Sequence, residues 1–102
     1  MAFVPQSLKP LTDAEVQPFD GVNGVYGMTD ANAVVLYVGM GDIGAELRRY
    51  APPGGDNQEI NRRRPTHFLA ETMHRAGIIA THAREIQLIR EFNPACNTQH
   101  TM

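Results

Sequence analysis

Between residues 24 and 42 the chain reads GVYGMTDANAVVLYVGMGD, two β-prone apolar stretches around a polar turn. Val25 to Thr29 predicts a first strand and Ala33 to Gly39 a second, and Thr29-Asp30-Ala31-Asn32 has the composition of a hairpin loop. Val34 to Val38 is an unbroken β-prone run, so the second strand is expected to be covered on both faces. Each strand also sets a tyrosine beside a glycine: Gly24-Val25-Tyr26, then Tyr37-Val38-Gly39. Packing explains two hairpin tyrosines cheaply through their β propensity. A phenol is also a hydrogen-bond donor and acceptor, and a general base where cations lower its pKa.

The polar and apolar positions elsewhere predict mainly helices. Thr12 and Glu15 have the spacing of a capping box, which opens a short helix that stops near Pro18. Residues 43–50, IGAELRRY, place Ile43, Leu47 and Tyr50 on one side, with Asp42 available as a cap. APPGGDN, residues 51–57, is a loop. Residues 66–76 read as a helix with Phe68, Leu69, Met73 and Ala76 inward and Gly77 as its stop. Ile78-Ile79-Ala80 reads as a very short extended segment. Residues 82–92 make the clearest helix, with Ala83, Ile86, Ile89 and Phe92 on one face and Pro94 as its end. Segregated strands and helices predict an α+β domain: a small antiparallel hairpin-based sheet of two or three strands packed with about three helices. Residues 1–21 are an arm with a possible short helix whose first ten positions pack loosely, 22–97 the domain, and 98–102 a polar tail.

Composition narrows the class. A chain of 102 residues, 42% hydrophobic and 20% charged, fits one globular domain with one core. No apolar run approaches the roughly 20 residues that span a bilayer. The first residues lack the basic-then-apolar order of a signal peptide, so none is expected. A single cysteine, Cys96, excludes an internal disulfide and favours a reducing cytoplasmic setting. The net charge of −2 argues against general affinity for nucleic acid, so any such affinity must come from local clustering.

Arginine clusters once. From Asp42 to Arg64 the cations are Arg48, Arg49, Arg62, Arg63 and Arg64, against Asp42, Glu46, Asp56 and Glu59, an excess of one. The set is either a small phosphate-gripping patch or a solvated face. Glu85 is either a solvated helix charge, which its spacing alone favours, or an oxygen ligand for Mg²⁺. His67 and His74 stand two turns apart on the predicted 66–76 helix, too far to share an ion. With His82 and His100 they suggest no zinc site, and GMGDIG lacks the lysine of a P-loop.

Taken together, these motifs resemble the GIY-YIG nucleases. That family is marked by two short hairpin motifs about ten residues apart. Here Gly24-Val25-Tyr26 and Tyr37-Val38-Gly39 are separated by the ten residues 27 to 36. The family's last helix carries a metal-binding glutamate, then Leu-Ile, a proline, and an asparagine twelve positions after the glutamate. Glu85, Leu88-Ile89, Pro94 and Asn97 reproduce that order and spacing. The likeness covers roughly residues 22 to 97 and is closest to small stand-alone members and to the nuclease domain of the bacterial excision-repair incision subunit.

The resemblance implies a metal-dependent endonuclease that hydrolyses phosphodiester bonds in DNA. It implies one Mg²⁺ or Mn²⁺ ion on Glu85, with Tyr26 or Tyr37 taking a proton from the attacking water. Arg48 would neutralise the phosphate, Asn97 would position Glu85 or the backbone around it, and Arg49, Tyr50, Arg62, Arg63 and Arg64 would contact nucleic acid. A partner protein or a homodimer would supply DNA affinity. Two features depart from the family pattern. Where an arginine is expected four residues before Tyr50, the chain has Glu46, with Arg48 and Arg49 nearby but out of phase by about 100° of helix per residue. A third strand before the last helix has only Ile78-Ile79-Ala80, or residues near the N-terminus, to form it. Glu46 also motivates the alternative, a catalytically inactive module of the same fold that binds nucleic acid or protein.

Overall fold

The computed structural model describes residues 3, 7–73, 75 and 77–97. His74 and Ala76 of the expected 66–76 helix, His100 and the tail 98–102 lie outside them. In chain order the elements are β1 (Lys9–Pro10), α1 (Asp13–Val16) with a 3-10 turn at Gln17–Phe19, β2 (Asn23–Thr29), β3 (Val35–Asp42), α2 (Ile43–Tyr50), α3 (Gln58–Arg63), β4 (His67–Thr72) and α4 (Ile78–Phe92). The four strands form one antiparallel sheet in the order β1-β4-β2-β3, so the domain is α+β.

Local chemistry explains the hairpin and the first helices. Asp30 ties the β2–β3 turn by accepting from the backbone N–H groups of Asn32 and Val34. Thr12 caps α1 through Glu15 N–H, and Asp42 caps α2 through Ala45 N–H, as their spacing predicts. Ile43 and Leu47 of α2 are fully buried.

Two expectations are corrected. Residues 67–72 are strand, not helix. His67-Phe68-Leu69-Ala70-Glu71-Thr72 pairs with β2 from Thr29 to Gly24 on one side, and Phe68 and His67 meet β1 on the other. Phe68 and Ala70 enter one core while Leu69 enters the other, the two-sided burial of a central strand. Ile78-Ile79-Ala80 is not extended but is the first turn of α4. The missing strand therefore comes from β4, and the N-terminal arm adds β1. That arm is anchored: Phe3 is buried, stacked on Phe92 with ring centroids 5.8 Å apart.

Each sheet face carries its own core. Tyr26, Met28, Tyr37, Phe68 and Ala70 pack with Val16, Ile43, Leu47 and Ile60 from α1, α2 and α3. Val25, Val38 and Leu69 pack with Leu88 and Ile89 of α4 and with Phe3. α4 lies mainly along β3, the edge strand of the sheet. Among the described residues no helix is long and apolar enough to cross a membrane.

Candidate active site

The register of the hairpin puts both tyrosines on one face. Tyr26 pairs with Gly39 across the strands and Met28 with Tyr37, so Tyr26 and Tyr37 are diagonal neighbours. Their ring centroids lie 6.2 Å apart, and Tyr50 of α2 stands 5.6 Å from Tyr37. Gly39 makes this packing possible. A Cβ there would lie 2.3 Å from the Tyr26 hydroxyl oxygen and 2.5 Å from its Cζ, inside a ring that is fully buried. The glycine of Tyr-Val-Gly is thus the floor on which the tyrosine of Gly-Val-Tyr lies.

Glu46 joins this cluster: Tyr26 donates its hydroxyl proton to Glu46 Oε1 at 3.1 Å. Glu46 shares the inward side of α2 with Ile43 and Tyr50, three positions before it and four after. Arg48, by contrast, turns to the N-terminal arm and pairs with Asp13 and with Asp20, the latter at 3.2 Å. Arg48 is therefore not brought to the tyrosines. Arg49 is the α2 cation at the rim: its guanidinium lies 5.2 Å from the Tyr50 ring centroid, 3.9 Å from Glu46 and 3.0 Å from Asp56.

The phase of α4 is set by polar contacts near its start. Thr81 is fully buried, donates to Gly77 O and accepts from Asn23 at the start of β2. Arg84 forms a two-pronged pair with Glu71 of β4, at 2.7 and 2.8 Å. With Leu88 and Ile89 also inward, Glu85 falls on the buried side of the helix. Of the expected face, Ile89 is buried and Phe92 packs against the core, whereas Ile86 is half-buried and Ala83 exposed. Glu85 is thus not a solvated charge: its side chain is 9% exposed, and His82 Nδ1 lies 3.1 Å from its Oε1. Its charge reaches Tyr37 on the neighbouring strand.

Asn97 is the clamp of β3. Fully buried, it accepts from Val38 N–H at 2.7 Å and donates to Val38 C=O at 2.9 Å. Cys96 N–H adds a bond to Leu36 O, so residues 96–97 cover the outer edge of β3 as a further strand would. Asn97 therefore positions the Tyr-Val-Gly backbone rather than Glu85.

Both core phenols are pushed far above their ordinary range. For Tyr26 burial is the largest cause, followed by the neighbouring Tyr37 and the carboxylate of Glu46. For Tyr37 burial again leads, followed by Tyr50, Glu85 and Glu46. Both are neutral hydroxyls at physiological pH, since burial disfavours the phenolate and the carboxylates that reach them oppose it further.

No protein-family model and no curated protein matches the chain.

The remaining expected contacts lie on α3 and after it. Arg62 pairs with Glu59, and both Arg62 and Arg63 lie in the last turn of the helix. Arg62 and Arg63 also reach Cys96 electrostatically, whose thiol is raised chiefly by its burial. Arg64 closes the helix in the left-handed conformation, φ +52°, and borders an open hollow with Pro52, Pro53 and Thr66. His67 is in β4, bonded to Thr66, so the paired-histidine helix does not exist. Among the described residues no three of His, Cys, Asp and Glu are grouped to hold a metal ion. The sequence named Glu46 at the expected arginine position and His82 near the start of the last helix, but its reading missed the pairing of Glu46 with Tyr26 and that of His82 with Glu85. The latter pairing was legible, since residues three apart on a helix are neighbours.

Proposed function

We propose that the chain is a GIY-YIG-type endonuclease, a metal-dependent hydrolase of phosphodiester bonds in DNA. The observation that supports this reading is the packing of three tyrosines about the β3 segment that Asn97 clamps, with the buried carboxylate of Glu85 near enough to Tyr37 to act on it electrostatically. The motif spacing of the sequence agrees with it.

One nearly buried carboxylate beside a half-exposed imidazole fits Mg²⁺ or Mn²⁺, which bind through few protein oxygens and keep several waters. Glu85 would hold the ion, which when bound acts as a Lewis acid on the phosphate and stabilises the leaving oxygen. Tyr37, neutral, acts first as a hydrogen-bond donor toward the phosphate or the attacking water. Tyr26 is committed to Glu46 and fixes α2 against the hairpin. Arg49, not Arg48, is placed to offset charge that develops on the phosphate, the electrostatic stabilisation such a reaction needs. Asn97 holds Val38, and so the strand that presents Tyr37. DNA affinity beyond this small rim would come from a partner protein or a second copy. A cytoplasmic setting agrees with the buried, unpaired thiol of Cys96.

A second reading has one observation in its favour. Glu46 sets a carboxylate among the phenols where the resemblance expects an arginine, and Arg48 is turned away. On that reading the chain is a non-catalytic module of the same fold that binds nucleic acid or protein. Plasmid nicking with Mg²⁺ or Mn²⁺ decides between them. Cleavage should require the metal and disappear in Glu85→Gln, where loss of the ion's charge costs several kcal/mol of transition-state stabilisation. Tyr37→Phe should cleave more slowly. Undiminished cleavage by Glu85→Gln or in excess EDTA sinks the mechanism, and no cleavage of any DNA form by the parent protein favours the binding module.

A further inference from the structure

We infer that His82 is a second protein ligand for the ion on Glu85, making the site a mixed nitrogen–oxygen centre that prefers Mn²⁺ to Mg²⁺. This rests on the metal-dependent reading above and adds a residue to it.

The separation of the two donor atoms is the first support. His82 Nδ1 and Glu85 Oε1 lie 3.1 Å apart. Two ligand atoms each about 2.1 Å from one ion, at right angles to each other, stand about 3.0 Å apart. The pair thus already has the bite of neighbouring positions on an octahedral ion. Both residues sit on α4, three positions apart, and the bonds of Thr81 and Arg84 hold that helix in register with the sheet.

Access is the second support. The His82 side chain is 57% exposed while that of Glu85 is 9% exposed. The imidazole borders an open hollow of about 360 Å³ formed with Met40, Ile78 and Ile79. An ion reaching Glu85 from that side meets the imidazole first. A site of carboxylate and water suits Mg²⁺, whereas an added imidazole shifts preference toward first-row transition metals.

The competing role for His82 is a hydrogen bond to Glu85 alone. His82→Gln separates the two, because it keeps an N–H donor for the carboxylate but removes the imidazole nitrogen. The protein is titrated with Mn²⁺ alone by calorimetry, and pulsed electron paramagnetic resonance reads nitrogen coupling to the bound ion. The parent should show imidazole nitrogen coupling. His82→Gln should lose it and bind Mn²⁺ at least ~10-fold more weakly, since even partners outside the ligand shell are worth 10- to 100-fold. Circular dichroism checks that the variant is folded. Mn²⁺ binding that depends on Glu85 but shows no nitrogen coupling and is unchanged in His82→Gln overturns His82 as a ligand and leaves the Glu85 site standing. Absence of any Glu85-dependent Mn²⁺ binding overturns both.

Discussion

Asn97→Leu should cost a large share of the protein's stability. The native amide serves both polar groups of Val38, whose side chain is fully buried, and Asn97 is itself fully buried. Leucine keeps the branched shape and the number of side-chain heavy atoms, so no cavity opens, but it cannot accept from Val38 N–H or donate to Val38 C=O. Each buried backbone group left without a partner costs about 1–3 kcal/mol. Two of them give about 2–6 kcal/mol, against a total of about 5–15 kcal/mol for a typical domain. Urea unfolding followed by circular dichroism measures this directly. A loss of about 4 kcal/mol with a slope of about 2 kcal/mol per molar urea lowers the midpoint by about 2 M. The slope itself should not change, because the native fold and the exposed chain are the same. A loss below about 1 kcal/mol would refute the reasoning, since water would then be satisfying Val38 at the edge that residues 96–97 cover.

Two further predictions concern charge in the tyrosine cluster. Tyr26 and Tyr37 are raised chiefly by burial, so their stabilising contribution is fully present below the unfolded phenol pKa of about 10 and is lost as pH rises beyond it, by up to about 1.4 kcal/mol per pH unit for each group. Tyrosinate absorbance from these two should therefore appear together with loss of circular dichroism, and their ionisation near pH ~10 in an intact fold would contradict the burial argument. Glu46→Arg should tighten DNA binding and steepen its salt dependence by about one unit, as one added phosphate contact does. Arg49→Ala should weaken binding while Arg48→Ala leaves it unchanged, and equal isotherms for all three at two salt concentrations would remove α2 from phosphate recognition.

What the sequence disclosed was mostly local. The hairpin, the Asp42 and Thr12 caps and the inward side of Ile43 and Leu47 follow from contacts within a few positions. β4 was not legible because Phe68-Leu69-Ala70-Glu71 contains good helix formers, and its strand state is imposed by β2 on one side and β1 on the other. α4 was placed correctly in outline and Ile89 and Phe92 do face the core, but the inward face is turned toward Thr81, Glu85 and Leu88 and away from Ala83. Its phase is fixed by Asn23 reaching Thr81 and Glu71 reaching Arg84, neither visible in its apolar pattern. The spacing from Glu85 to Asn97 was visible, yet the partner of Asn97 lies 59 positions away on another strand.

The arginine question shows what phase on a short helix decides. Arg48 follows Glu46 by two residues, about 200° around α2, and so meets Asp13 and Asp20 instead of the tyrosines. Arg49 follows by three, about 300°, which returns it to within about 60° of Glu46 and over the ring of Tyr50. A phosphate approaching Tyr37 can therefore recruit only Arg49 from this helix, in exchange for its contacts with Asp56 and Glu46. Those contacts are exposed and individually weak, so the exchange costs little. The contact of Glu46 with Tyr26 is half-buried and made by a phenol that burial keeps protonated, so Glu46 stays where it is. On the proposed function the cluster would meet a phosphate with a fixed carboxylate and a movable cation, and its electrostatic balance would turn on an ion held by Glu85.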